Sequence, residues 1–212
     1  DCASLPKDLI ESELFGHEKG AFTNAHVSRT GLIEAAEDGV LFLDEIGELP
    51  LDLQSKLLAV LERRTLRRVG TTQERPVAAW IIAATNRDIE SLAEKGEFRS
   101  DLYYRLNVMS LSMPALRDRG DDILLLARHF AAATARRYGL EFADFTEQAV
   151  TALLEYAWPG NVREMKHLIE RAVLLNGGGT LDVDILGLNK VDEPVSGSVE
   201  NEINDDLTLG EA

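Results

Sequence analysis

The chain has 212 residues, 45% hydrophobic and 28% charged, with a formal net charge of −15; it is long enough to bury a core in one large or two modest domains. An acidic body excludes broad, non-specific nucleic-acid binding, which needs clustered Lys and Arg, and the single cysteine, Cys2, excludes an internal disulfide. No stretch approaches the roughly 18 apolar residues of a membrane span, no export leader is visible, and a reducing, cytoplasmic compartment is the economical expectation.

Residues 6–15 read as a helix opened by Pro6, and the polar, Gly-containing residues 16–29 as a loop. A short helix is expected over 31–37. Residues 39–45, Gly39-Val40-Leu41-Phe42-Leu43-Asp44-Glu45, are the most informative part. Four consecutive apolar residues predict a strand buried on both faces, the pattern of a parallel sheet. Pro50 then opens a helix to about residue 63, with Leu53, Leu57, Val60 and Leu61 on one face and Gln54, Lys56 and Glu62 off it. Strands are expected over 66–69 and 77–83, around the Gly70-Thr71-Thr72 turn. A helix over 89–95, an Arg-bearing segment over 98–106 and a strand over 108–113 follow. This alternation implies a mostly parallel, helix-covered sheet. Beyond Arg119-Gly120 the pattern is helical only, over 121–138, 147–156 and 162–175, the last with a buried stripe of Val162, Met165, Ile169 and Ala172. A domain boundary is placed near 118, giving an α/β body over 1–118 and an all-helical domain over 119–189. Residues 190–212, with seven acids against one base and no aromatic residue, read as an acidic linker or disordered tail.

The acids Asp44 and Glu45 stand at the carboxyl end of their strand, where open α/β sheets bind ligands. That suits Mg²⁺ and a polarised water beside a nucleotide phosphate; the alternative is a strand ending in solvated acids. Asn86 closes the strand at 77–83, and if the two strands are neighbours it lies near Glu45, able to orient a water or to sense a phosphate; the alternative is a turn-forming Asn. Arg99 and Arg105 are six residues apart and so do not share a helix face. Differently aimed guanidinium groups suit a phosphate across a subunit boundary, where an arginine finger contributes about 10³–10⁵ in rate; surface ion pairing is the plainer reading. In Trp158-Pro159-Gly160-Asn161-Val162-Arg163-Glu164, Asn161 and Glu164 have capping-box spacing, which puts Arg163 in a first helical turn. The segment Gly20, Ala21, Phe22, Thr23, Asn24, Ala25 places an aromatic ring in a small-residue loop, which invites a protein contact unless the loop is tucked onto the body.

Together, Glu13-Leu14-Phe15-Gly16-His17-Glu18-Lys19-Gly20-Ala21-Phe22-Thr23-Asn24-Ala25, the Asp44-Glu45 strand, Ala84-Thr85-Asn86, Phe98-Arg99-Ser100-Asp101-Leu102 and the 158–164 segment resemble the AAA+ module of bacterial sigma-54-dependent transcription activators. The resemblance covers about residues 1–176. It implies a P-loop NTPase-type α/β body with a small helical lid, binding ATP and Mg²⁺, forming a ring (a hexamer in the intact protein) and remodelling the closed promoter complex of the sigma-54 RNA polymerase holoenzyme. By position, Asp44 would hold Mg²⁺, Glu45 would activate water and Asn86 would be the first sensor. Arg99 and Arg105 would be finger candidates, Arg163 the second sensor, and residues 20–25 the loop that touches sigma-54. DNA would be bound only through a domain outside this chain.

The chain departs from the family at three points. Gly-x-x-x-x-Gly-Lys-Ser/Thr is absent, since none of the six lysines follows a Gly or precedes a hydroxyl. The chain therefore reads as a fragment beginning inside the module, and alone it is expected to hydrolyse ATP negligibly. Asn24 replaces the Gly usual in the partner loop, and Asp1 stands where an Asn commonly engages the catalytic Glu. The competing expectations are a non-catalytic AAA+-shaped regulatory or scaffold module, a regulator that no longer acts on sigma-54, and an unrelated AAA+ machine such as a remodelling chaperone.

Overall fold

A computed structural model describes residues 1–4 and 6–188, and these fall into two compact units, divided between Leu111 and Ser112. The division lies ahead of the expected boundary at 118. The acidic stretch 190–212 is outside the described residues.

In the first unit, α1 (Lys7–Phe15) leads through Gly16 into β1 (Gly16–His17), antiparallel to β2 (Arg29–Thr30). Gly16 has φ +76°, and a Cβ there would come within 2.6 Å of the Arg29 carbonyl oxygen, so only glycine fits this turn. After α2 (Leu32–Ala35), β3 (Val40–Leu43) runs into a 3-10 turn at Ile46–Glu48 and then α3 (Leu51–Arg63). α3 belongs to the crossover that returns the chain to β6 (Trp80–Ala83), parallel to β3 in the register Val40↔Trp80 to Leu43↔Ala83. Between them, β4 (Thr65–Leu66) and β5 (Arg75–Pro76) form a short antiparallel hairpin. α4 (Ile89–Glu94) and α5 (Ser100–Leu106) complete the unit. Its core includes Leu14, Phe15, Ile33, Leu43, Leu53, Leu57, Phe98 and Leu102.

Three expectations for this unit are corrected. β3 is covered on one face only. Leu43 is buried, whereas Val40 (59% exposed), Phe42 (55%) and, on β6, Trp80 (75%) and Ile82 (53%) form an open apolar face, because alternate side chains project to opposite sides. The expected strands at 66–69 and 77–83 are shorter than their expected bounds: the first is Thr65–Leu66, paired with Arg75–Pro76, and the second begins at Trp80 beside β3. Residues 108–113 are not a strand; Val108, Met109, Leu111 and Met113 are 81–88% exposed, with no described strand beside them.

In the second unit a 3-10 turn at Leu116–Asp118 precedes α6 (Asp122–Tyr138), α7 (Glu147–Glu155), α8 (Asn161–Asn176) and α9 (Val183–Leu186). The expectation of a strand-free domain is corrected by β7 (Phe142–Phe145) and β8 (Gly179–Leu181), which pair in parallel. A Cβ on Gly178 would meet the Glu141 carbonyl oxygen at 2.6 Å, so this glycine serves a close backbone approach as well as a turn. Met165, Ile169, Ala172 and Val173 are fully buried on α8, with Val162 packed at the edge. Trp158, also fully buried, donates its Nε1–H to the Leu153 carbonyl at 2.9 Å. The capping box is half realised: the Gly160 N–H donates to Glu164 Oε2 at 2.8 Å, but the Asn161 side chain accepts from the Leu116 N–H at 2.8 Å instead of capping its own helix. Among the described residues no helix is long and apolar enough to cross a membrane.

Candidate functional site

Parallel in-register pairing of β3 and β6 delivers Asp44-Glu45 and Thr85-Asn86 to the same sheet end. The ladder continues past the strands, with the Ala84 N–H donating to the Leu43 carbonyl and the Ile46 N–H to the Ala84 carbonyl. Asp44 Oδ1 accepts from the Glu45 N–H at 3.1 Å, and Glu45 Oε2 accepts from the Asn86 N–H at 3.4 Å. The remaining oxygens, Asp44 Oδ2 and Glu45 Oε1, accept no hydrogen bond among the described residues. Glu45 has φ 54° and ψ 47°, a left-handed conformation that is uncommon for a non-glycine residue and gathers at functional sites. Cys2 is buried beside this edge, its N–H donating to the Asp44 carbonyl at 2.9 Å. Burial pushes its thiol pKa up, and the Asp44 and Glu45 charges act in the same direction, so it is an inert thiol. The Asp1 carboxylate accepts from the Ala3 N–H, not from a group near Glu45. Among the described residues no cluster of three or more His, Cys, Asp or Glu could hold a metal. The acid pair fits Mg²⁺ in its usual manner, through one or two carboxylates with water and substrate phosphate supplying the rest.

Arg99 and Arg105 lie apart from this edge, against α3. Arg99 donates from Nε and Nη2 to Asp101 Oδ1 and Oδ2 at 3.0 and 2.7 Å, and from Nη1 to Ser55 Oγ at 3.1 Å. The hydrogen bonds with Arg99 hold the Asp101 carboxyl below the usual range. Arg105 donates to the Leu61 carbonyl at 3.1 Å. Gln54, expected off the buried face, is fully buried. It donates to the Leu49 carbonyl at 2.7 Å and accepts from the Arg99 N–H at 2.8 Å, which seats the turn carrying Arg99. The available signal was its position three residues before Leu57, on the core stripe. Arg163 lies exposed in the first turn of α8 with no hydrogen bond or ion pair among the described residues.

Residues 20–25 form a tight turn, with the Gly20 N–H donating to the Ala25 carbonyl at 2.8 Å and the Ala25 N–H to the Phe22 carbonyl at 2.9 Å. Ala25 is buried and Phe22 is 43% exposed. Asn24 is not among the residues with positive φ, so its tolerance of that region is not what keeps the loop shape. Ala21 lies against Gly70 of the β4–β5 hairpin, where a Cβ would approach it to 2.7 Å. An ion network missed by sequence reasoning joins the two loops. Arg68 binds Glu34 through Nε and Nη2, both at 2.9 Å, and Glu18 at 3.0 Å, while Arg75 binds Glu34 at 3.1 Å. The Ser28 hydroxyl and Arg68 together hold the Glu18 carboxyl below its ordinary value.

An α/β unit with parallel strands, followed by a helix-rich unit, is the architecture of a truncated AAA+ domain. Residues 1–112 match the Sigma-54 interaction domain family, and residues 117–201 match the AAA+ ATPase lid domain. The chain belongs to the sigma-54 interaction domain family. It is similar to the Regulatory protein AtoC of Escherichia coli (52% identical over 178 residues, 84% of this chain and 39% of that protein). It is likewise similar to the Sigma54-dependent transcriptional activator SfnR of Pseudomonas putida (44% over 207 residues, 95% and 57%). Among solved structures it resembles NtrX from Brucella abortus in complex with ATP (TM-score 0.80, 30% identity, 94% of this chain and 45% of that one). The chain thus spans well under two thirds of each relative's length.

Proposed function

We propose that this chain is part of the AAA+ module of an ATP-hydrolysing transcription activator that remodels the closed promoter complex of sigma-54 RNA polymerase in the cytoplasm, and that alone it hydrolyses ATP negligibly. The observation that carries the proposal is the convergence of Asp44, Glu45 and Asn86 at one sheet edge within a sigma-54 interaction domain. Asp44 is the Mg²⁺ ligand, Glu45 the base toward the attacking water, and Asn86 the first sensor. ATP bound with Mg²⁺ supplies the phosphoryl-transfer energy. Arg99 and Arg105 complete a neighbouring subunit's site in a ring, and Arg163 is the second sensor. The loop of Gly20, Ala21, Phe22, Thr23, Asn24 and Ala25 contacts sigma-54. DNA is reached through a domain outside these residues, and no phosphate-cradling Gly-x-x-x-x-Gly-Lys-Ser/Thr lies within them.

The test uses the intact protein that carries this module. Open-complex formation by sigma-54 holoenzyme should require hydrolysable ATP and Mg²⁺, and Phe22→Ala should abolish it while ATP is still consumed. Open complexes formed at the wild-type level by Phe22→Ala would refute the loop assignment, and formation independent of ATP would refute the proposal.

A further inference from the structure

His17 has no part in the nucleotide edge, yet it is among the most constrained polar groups of the first unit. It is 8% exposed, and its Nδ1 shares a 2.6 Å hydrogen bond with the hydroxyl of Ser12, itself 6% exposed. Its backbone is held too, by a bridge to Val69, and the next N–H, of Glu18, donates to the Val69 carbonyl at 3.0 Å. The imidazole is therefore pinned between α1 and the second hairpin. Against it lies the ring of Phe22, with centroids 5.0 Å apart and planes at 62°, an edge-on contact. Such pairs set the positive edge of one ring on the negative face of the other and restrict both rings. The rest of the loop is built of small or polar residues, and no other aromatic contact to Phe22 occurs among the described residues.

We infer that His17 is a positioning residue for Phe22, a fixed seat that sets the direction in which the loop presents its aromatic ring to a protein partner. This rests on the assignment of residues 20–25 as the sigma-54 contact. Ser12 acts one step further back by fixing the imidazole plane. A purely structural His17 would fill the space under the hairpin without regard to residue 22.

The two roles separate in a double-mutant cycle on the intact protein, read as open complexes formed per ATP hydrolysed. His17→Asn keeps a polar atom where Nδ1 meets Ser12 and deletes the ring edge. It should lower the yield about two- to tenfold, the worth of one aromatic pair, and should cost nothing further in a Phe22→Leu background. His17→Phe, which restores an aromatic edge, should retain more activity than His17→Asn. The ring is followed directly with 4-fluorophenylalanine at position 22, whose ¹⁹F resonance should move on His17→Asn; this readout holds even where Phe22→Leu leaves no activity to divide. Equal losses in both backgrounds, a wild-type yield from His17→Asn, or an unmoved resonance overturns the inference. If Phe22→Leu itself retains full yield, the sigma-54 assignment of the loop fails instead.

Discussion

Glu45 holds a left-handed backbone conformation that costs a non-glycine residue on the order of 1–3 kcal/mol. The cost is met because the ladder continues on both sides of it, through Leu43, Ala84 and Ile46, and the result is a carboxylate aimed along the sheet edge. A general base contributes about 10²–10⁴ in rate, and that is the role proposed for Glu45. Glu45→Gln in the intact protein should therefore cut phosphate release at saturating ATP by that factor while nucleotide still binds; a loss of less than tenfold would remove Glu45 from the role. Asn24 gives a second expectation at this scale. Its φ is not positive, so Gly at 24 relieves no strain and adds freedom to the unfolded chain, at about 0.4–1 kcal/mol. Asn24→Gly should leave open-complex formation unchanged or lower, and a clear rise would show that Asn24 impairs the loop. The placement of Asp44 and Glu45 at the carboxyl end of a strand was legible because an apolar run that stops at acids is a local signal. The Arg68–Glu34–Glu18 network was not, since its partners lie 34 and 50 residues apart and each alone reads as a solvated charge.

The elements divide by how local their causes are. The 3.6 period placed α1, α3, α6, α7 and α8 within a residue or two of their observed ends. The short strands were misplaced, because β4, β5, β7 and β8 are each defined by a partner and not by their own pattern. Gln54 shows the same limit inside a helix, since its burial depends on the Leu49 carbonyl and the Arg99 N–H. Gln54→Leu would leave both unpaired, at about 1–3 kcal/mol, so the urea midpoint of the first unit should fall, and an unchanged midpoint would count against this bridge. In the second unit, Arg128 on α6 donates to both oxygens of Asp144 on β7 at 2.9 and 3.1 Å. These bonds hold the Asp144 carboxyl below the usual range. A depressed acid contributes its stability in full above the ordinary carboxylate value, about 4, and loses it as pH falls through the folded-state value. With both side chains half exposed, the amount is at most about 1 kcal/mol. Asp144→Asn should lower the urea midpoint at neutral pH, and the difference should fade as the pH falls below the ordinary carboxylate value and through the lower folded-state one; a difference that persists undiminished in strong acid would exclude this ion pair as its cause.

Over the whole molecule, apolar surface is the conspicuous property. Val40, Phe42, Trp80 and Ile82 share one open sheet face, and Met109, Leu111 and Met113 are bare. Exposed patches of this kind drive association. The 212-residue chain should scatter light increasingly with concentration, and Phe42→Lys should reduce this; a strictly monomeric wild-type chain at high concentration would contradict it. The α/β character of the first unit was readable in the order of its elements. The single-sided cover of β3 was not, because an apolar run does not report what packs on either face. The central claim joins two places that the fold keeps apart, the acid edge at Asp44 and Glu45 and the guanidinium groups of Arg99 and Arg105 at α5, in neighbouring subunits of a ring. Its most direct test mixes intact Glu45→Gln protein with intact Arg99→Ala protein, each inactive by itself, and measures ATP hydrolysis. Random mixing in a head-to-tail ring leaves roughly a quarter of the interfaces with both groups intact, so turnover should reappear on mixing. Hydrolysis that stays at the sum of the two separate variants would contradict a site shared between subunits.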